Sequence, residues 1–427
     1  LITKKDCFGD GDAYITGSLG AFFGIANIIV IFILKCLAKN HISKKDNEFY
    51  RLKLRIPLFN DFLKIKFKLM ITKIKNSLDI FCTVLDNYGD AGVCLRLARD
   101  LSLKQFNVFL YCDDLKTLNT IKDKKDEENE NLHIKKWNDK LEDYDPSEYV
   151  IQAFSCRLCQ NAIDKIKVKH SKVINLEYLS AEKWVEDCHK CQSFGDGFTS
   201  YFFFPGFTKG TGGVVTEENF IKKLQKNNLK SSEIRKVTLF SYKNSHIKDI
   251  ISLLSKSKKK SEITVFEGKA LNNLNQQLKL NLQPGQYFDL NQKISIKAVK
   301  MVSQDEYDDY LLSADLNLVR GEDSIVRAML SGKPFLWQIY VQEDNAHILK
   351  LMSFFDRLEE VVKPSETFFI LKNLMLSYND AHEFPLIDSY DEFEQNVNEI
   401  FKLWSLHLLN LGSLSDNLCD FLLSLNA

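Results

Sequence analysis

The chain has 427 residues, of which 45% are hydrophobic and 27% are charged, so it is long enough to bury more than one core. Lys+Arg and Asp+Glu both number 57, and this balance gives no global field that would attract DNA, RNA or anionic lipid. We therefore expect a folded protein of two domains whose main partner is not a nucleic acid.

The first 69 residues stand apart from the rest. Residues 13–34 carry no charge and are long enough for a membrane span, and four lysines follow at Lys35, Lys39, Lys44 and Lys45. A membrane would be a partner only if this span is real. The chain begins at Leu1 and its first methionine is Met70. We favour upstream sequence translated in error over an anchor, and the fold prediction starts at Met70.

Two runs of alternating strands and helices follow. The first predicts a Rossmann-like domain over residues 70–232, with strands at 78–85, 107–112, 149–154 and 172–176. The second predicts another over residues 233–388, with strands at 237–242, 262–266, 316–319 and 335–340. The charged tract 122–130 is predicted to be a solvated loop, and residues 389–427 to form C-terminal helices.

Four cysteines form a paired pattern that resembles a structural zinc site. They are Cys156, Cys159, Cys188 and Cys191. The gap between the pairs is longer than usual and contains a strand-like run, so we predict reduced cysteines and no metal.

Two loops carry residues suited to chemistry. Asp86 and Asp90 share a glycine-containing loop at the end of the first strand, where open α/β sheets bind ligands. On pattern alone, a turn in which Asp90 caps the next helix is the better interpretation.

The second loop follows the predicted strand 316–319. A helix that begins with Glu322, Asp323 and Ser324 offers backbone N–H groups to a pyrophosphate, and Arg320 adds a cation. The alternative is a capped helix with a surface arginine. Acidic residues repel bare phosphate but accept hydrogen bonds from sugar hydroxyls, which favours a nucleotide sugar.

Four segments, taken in order and spacing, resemble the EarP family: residues 79–90, 174–186, 201–207 and 319–324. The resemblance starts at about residue 78. It implies an α/β glycosyltransferase of the GT-B type, with two Rossmann-like domains facing a central cleft. Members of the family transfer rhamnose from dTDP-β-L-rhamnose to an arginine of elongation factor P and invert the anomeric centre. This modification activates the factor for rescue of polyproline-stalled ribosomes.

The resemblance also implies roles for particular residues. Residues 70–232 would bind the acceptor, with Asp90 as general base and Asp86 as its partner, and residues 233–388 would bind the nucleotide sugar. Because a guanidinium stays protonated and is a poor nucleophile, carboxylates must bind it and take its proton. Glu322 completes the predicted catalytic set. The predicted substrate-binding residues are Asn87, Tyr88, Gly89, Phe240, Tyr242, Gln304, Arg320, Gly321, Asp323 and Ser324.

The implied enzyme is cytoplasmic and metal-independent and uses no cofactor besides its donor substrate. Gln152 departs from the family pattern, because an acidic residue is expected there. Two alternatives stay open: a GT-B enzyme with another donor or acceptor, and a membrane-tethered nucleotide-binding module without catalysis. The presence of both Asp86 and Asp90 speaks against the second.

Overall fold

The computed structural model describes residues 76–85, 88–104, 106–138, 140–226 and 233–426. All of them belong to one compact unit, Lys75–Ala427. The predictions for residues 1–69, for Asp86 and for Asn87 lie outside the described residues. In the described ranges, no helix is both long enough and apolar enough to cross a membrane.

The first lobe is built on a seven-stranded sheet with the strand order β3-β2-β1-β4-β5-β7-β6. Only β6 pairs in the antiparallel sense, and helices cross between the parallel neighbours, as parallel pairing requires. The strands are β1 (Asn76–Cys82), β2 (Phe106–Cys112), β3 (Leu132–Lys136), β4 (Tyr149–Ala153), β5 (Lys172–Leu176), β6 (Gln192–Ser193) and β7 (Ser200–Phe203). The helices are α1 (Tyr88–Ser102), α2 (Leu115–Ile121), α3 (Lys124–Glu127), α4 (Gln160–Lys169) and α5 (Trp184–Cys188).

The second lobe is built on a six-stranded sheet with the order β10-β11-β9-β8-β12-β13, in which only β10 is antiparallel. Its strands are β8 (Ile234–Leu239), β9 (Lys260–Phe266), β10 (Tyr287–Asp289), β11 (Ile294–Val299), β12 (Leu316–Arg320) and β13 (Phe335–Gln338). The helices from this part of the chain are α6 (Glu218–Lys226), α7 (Ile247–Ser255), α8 (Lys269–Leu278), α9 (Gln304–Ser313), α10 (Gly321–Ser331), α11 (Ala346–Val361) and α12 (Glu366–Tyr378).

The last two helices connect the lobes. Helix α13 (Tyr390–Leu409) packs on the second lobe, where Trp404 is fully buried. Helix α14 (Leu414–Ser424) returns to the first lobe and buries Leu418 and Leu422 in its core. The backbone N–H of Leu414 donates to Val214 O at 2.9 Å, which fixes the start of α14. The chain end is thereby part of the core of the first lobe.

Several details of the sequence interpretation need correction. Asp90 was predicted to lie in a loop with Asp86, but it lies in α1, which begins at Tyr88. The tract 122–130 is not a solvated loop, because it contains α3, whose Asp126 is 2% exposed and accepts a hydrogen bond from Arg99. Asp126 is buried because it pairs with Arg99, 27 positions earlier in the chain, and the number of charges in the tract does not reveal such a partner. The strand predicted at 237–242 ends at Leu239. Phe240 and Tyr242 therefore lie beyond the carboxyl end of β8, where α/β sheets bind ligands.

Candidate active site

A pocket lies between the two lobes and is lined by residues from both. Nine predicted residues form part of its wall: Tyr88, Gly89, Phe240, Tyr242, Gln304, Arg320, Gly321, Asp323 and Ser324. The wall is completed by residues that the sequence interpretation missed: Ile121, Phe266, Met301, Val302 and Tyr307. Phe266 is the last residue of β9, and Met301 follows β11. Because α/β sheets bind ligands at the carboxyl ends of their parallel strands, these positions could have identified both residues from the sequence.

Aromatic rings form one end of the pocket around a buried arginine. The Arg320 guanidinium carbon lies 4.5 Å from the ring centre of Phe240 and 4.6 Å from that of Tyr242. The Phe240 ring also packs against the Tyr307 ring, with the ring centres 5.5 Å apart. This end of the pocket offers flat apolar surfaces beside a fixed cation, which suits a base and its attached phosphates.

Helix α10 begins at the pocket. Gly321 is its first residue and has a φ of +66°, a conformation that an L side chain rarely adopts. The Gly321 carbonyl accepts a hydrogen bond from Trp337 Nε1 at 3.1 Å, which fixes this first turn. The first N–H groups of a helix have no partner within it, and with the helix dipole they form an anion site. Ser324, in the same turn, is buried at the pocket.

Glu322 is not part of the pocket wall. Its Oε1 accepts a hydrogen bond from Lys350 Nζ at 2.6 Å, and its Oε2 accepts one from the backbone N–H of Leu179 at 3.0 Å. Leu179 follows β5 in the first lobe, so Glu322 joins the lobes beside the pocket. The sequence interpretation did not identify Lys350, because no sequence pattern links a residue of α11 to one of α10.

Asp323 and Gln304 also join the lobes. Arg96 Nε of α1 donates to Asp323 Oδ1 at 2.6 Å. Gln304 Nε2 donates to Asp323 Oδ2 at 3.1 Å and to the carbonyl oxygen of Gly92 at 3.0 Å. Both were predicted to bind the donor, and the structure shows them bound to α1 as well as lining the pocket.

Arg96 is the centre of a buried ionic network. It is 1% exposed and also contacts Asp308 at 2.8 Å and Glu217 at 2.7 Å. Burial alone would raise the pKa of the Glu217 carboxyl, but Arg96, Arg327 and Arg99 outweigh burial and hold that pKa far below its ordinary value. The network thus keeps Glu217 ionised between the lobes.

Asp90 lies in the first turn of α1 and is 3% exposed. Its Oδ2 accepts a hydrogen bond from the backbone N–H of Leu85 at 2.8 Å, which links the helix start to the chain after β1. Tyr88 and Gly89, in the same turn, line the pocket. The proposed base therefore sits on the helix whose start forms one pocket wall. Asp86 and Asn87, between these residues, belong to the part of the chain not described.

The cysteines of the paired pattern are free in the structure. Cys156 is buried, Cys159 and Cys188 are partly buried, and Cys191 is exposed. Within the described ranges, no three or more His, Cys, Asp or Glu side chains are grouped so as to hold a metal ion.

Two Rossmann-like sheets that face a cleft, with the pocket at their carboxyl ends, define a GT-B glycosyltransferase. The same fold occurs in a solved structure described as "Structural basis for EarP-mediated arginine glycosylation of translation elongation factor EF-P". The match covers 81% of this chain and 98% of that one, with a TM-score of 0.55 and 22% sequence identity.

The sequence model of the family described as "Elongation-Factor P (EF-P) rhamnosyltransferase EarP" matches residues 78–423, and the chain belongs to this family. The protein-arginine rhamnosyltransferase of Pseudomonas putida is 34% identical over 308 residues, covering 66% of this chain and 81% of the relative. That of Shewanella oneidensis is 31% identical over 388 residues, covering 80% and 96%.

Proposed function

We propose that this chain transfers rhamnose from dTDP-β-L-rhamnose to an arginine side chain of translation elongation factor P, with inversion at the anomeric carbon. Family membership supports the reaction class. The observation that carries the proposal for this chain is that the starts of α1 and α10 meet at one pocket: Tyr88 and Gly89, next to Asp90, line it from α1, and Ser324 lines it from α10.

The donor would lie along the second lobe. Phe240 and Tyr242 offer rings for the thymine base, and Arg320 lies between them and the start of α10. The α10 N–H groups and Arg320 would meet the diphosphate charge as dTDP leaves, so that no metal ion is required. Glu322, which lies beside the pocket and not in its wall, would accept hydrogen bonds from the sugar hydroxyls with the acceptor positions that Lys350 and the Leu179 amide leave free.

The acceptor arginine would enter from the first lobe. Asp86 and Asp90 bind its guanidinium and localise the charge, and one guanidinium nitrogen attacks the anomeric carbon from the face opposite dTDP. A C–N bond forms, the C–O bond to dTDP breaks, and the proton from the attacking nitrogen passes to Asp90. A single displacement of this kind inverts the configuration. The modified factor would then act on polyproline-stalled ribosomes in the cytoplasm.

Intact-mass measurement of the cognate elongation factor P tests the proposal. The full chain is incubated with the factor and, in parallel reactions, with dTDP-β-L-rhamnose, dTDP-glucose or UDP-glucose. We expect one added deoxyhexose, only with the first donor. Addition of glucose instead would show a GT-B enzyme with another donor, and an unchanged factor with folded enzyme in every reaction would contradict the proposal.

A further inference from the structure

Lys350 of α11 forms a partly shielded ion pair with Glu322. Its Nζ lies 2.6 Å from Glu322 Oε1, and the two side chains are 20% and 16% exposed. The same ammonium lies 6.0 Å from the ring centre of Tyr178, which belongs to the first lobe. Charges that are partly removed from water interact more strongly than exposed ones, so this pair differs from an ordinary surface contact.

The second oxygen of Glu322 binds the first lobe. The backbone N–H of Leu179, in the segment that follows β5, donates to Oε2. The Leu179 side chain is 3% exposed and packs into the core of the second lobe, so this first-lobe segment is held against that lobe. Lys350 on one oxygen and the Leu179 amide on the other define one orientation of the carboxylate. A carboxylate has about four acceptor positions, so about two are left for a ligand.

Helix α11 contacts the first-lobe segment that follows β5 at a second point. Arg357, farther along α11, donates from Nε to the carbonyl oxygen of Ala181 at 2.9 Å and also pairs with Glu186. Contacts at two points along α11 fix its position against the segment that follows β5. Lys350 therefore reaches Glu322 from a fixed helix, and little freedom of the backbone is lost when the pair forms.

We propose that Lys350 is a positioning residue for the transfer reaction. It holds Glu322 in the orientation in which one carboxylate binds both the Leu179 amide and a hydroxyl of the donor sugar. Without the ammonium, Glu322 can rotate away from the sugar, and the Leu179 segment loses its contact with α10. This inference rests on the proposed function, because it assigns Glu322 to the donor.

A double-mutant cycle tests this role. Transfer to elongation factor P is measured with dTDP-β-L-rhamnose for the wild type, Lys350→Met, Glu322→Gln and the double variant, with kcat and donor KM determined separately. Lys350→Arg tests rescue by a second cation. Lys402→Met is the matched control, because it removes an exposed Lys–Glu pair with the same 2.6 Å separation. Thermal unfolding of each variant shows whether it is folded.

We expect Lys350→Met to lower kcat/KM about tenfold or more in the wild-type background and less than about twofold when Glu322 is already Gln, since contacting residues that act together are not additive. Lys350→Arg should recover most of the loss, and Lys402→Met should not differ from the wild type. An equal loss in both backgrounds, or no loss in either, would overturn the proposal. A wild type that transfers no rhamnose would overturn the proposed function and this role with it.

Discussion

Arg96 Nε lies 2.6 Å from Asp323 Oδ1, and this contact joins α1, which carries the proposed base, to α10, which begins at the proposed diphosphate site. Gly92 strengthens the junction, because its carbonyl oxygen accepts a hydrogen bond from Gln304. In the proposed reaction, the base and the leaving-group site come from different lobes, and their separation must be fixed for the reaction geometry. The Arg96 network fixes it here with buried charges.

Replacing Arg96 by Met should destabilise the protein by about 3–5 kcal/mol, because the buried Glu217 then loses its nearest cation and the buried Asp308 loses its ion pair with the guanidinium. Urea unfolding measures the loss. Lys222→Met, which removes the exposed pair with Glu218, is the control and should change the stability by less than about 0.5 kcal/mol. A similarly small effect for Arg96→Met would show that the network does not hold the lobes together.

Gly92→Ala should lower both the melting temperature and the transfer rate, although alanine usually favours a helix by about 1 kcal/mol. A Cβ at this position would lie 3.1 Å from Asp323 Oδ2, and that carboxylate is held by Arg96 and Gln304. Gly195→Ala is the matched control, since a Cβ there meets nothing within 4 Å. A Gly92→Ala protein as active as this control would contradict close contact between α1 and α10.

Tyr242→Ala should raise the donor KM with little change in kcat. Stacking of an aromatic side chain on a base contributes about 1–3 kcal/mol, which corresponds to roughly 5- to 150-fold in affinity, and it is made equally in the ground and transition states. Initial rates over a range of dTDP-β-L-rhamnose concentrations give both constants. Tyr287→Ala, an exposed tyrosine on β10, should leave them unchanged. An unaltered KM for Tyr242→Ala would place the base elsewhere.

Glu177→Gln should stabilise the protein at neutral pH. Burial raises the pKa of the Glu177 carboxyl, so the folded state favours its protonated form and the ionised form costs stability. The cost is fully present above the folded-state pKa and disappears as the pH falls below the ordinary value of about 4.3. Melting temperatures across this range should therefore show a gain that fades on acidification.

Glu218→Gln provides the opposite case. A hydrogen bond from Lys222 lowers the pKa of the Glu218 carboxyl, so the ionised carboxylate stabilises the folded state above the ordinary pKa. This stabilisation disappears as the pH falls through the lowered folded-state pKa. This variant should be slightly less stable than the wild type at neutral pH. If Glu177→Gln and Glu218→Gln shift stability in the same direction, burial does not dominate at Glu177.

The sequence predicted the features that depend on local pattern. The strand 172–176 has the bounds of β5, and the helix starts that carry Asp90 and Ser324 follow β1 and β12 in the chain, as expected. It did not predict Arg96, Lys350 or Asp126, because each depends on a partner distant in the chain. The nearest of these partners, Arg99 and Asp126, are 27 positions apart, beyond any helical or strand period. The sequence and the family resemblance therefore identified nine residues of the pocket wall, but not the contacts of Arg96, Lys350 and Asp126.

Tandem mass spectrometry of elongation factor P, after incubation with dTDP-β-L-rhamnose and either the wild type or Asp90→Asn, tests the central claim most directly. Asparagine keeps an oxygen for the hydrogen bond from Leu85 but cannot take the proton, so this variant should melt near the wild-type temperature. The account predicts one deoxyhexose on a single arginine with the wild type and none with Asp90→Asn. Near-normal modification by the folded Asp90→Asn protein, or a sugar on another residue type, would contradict it.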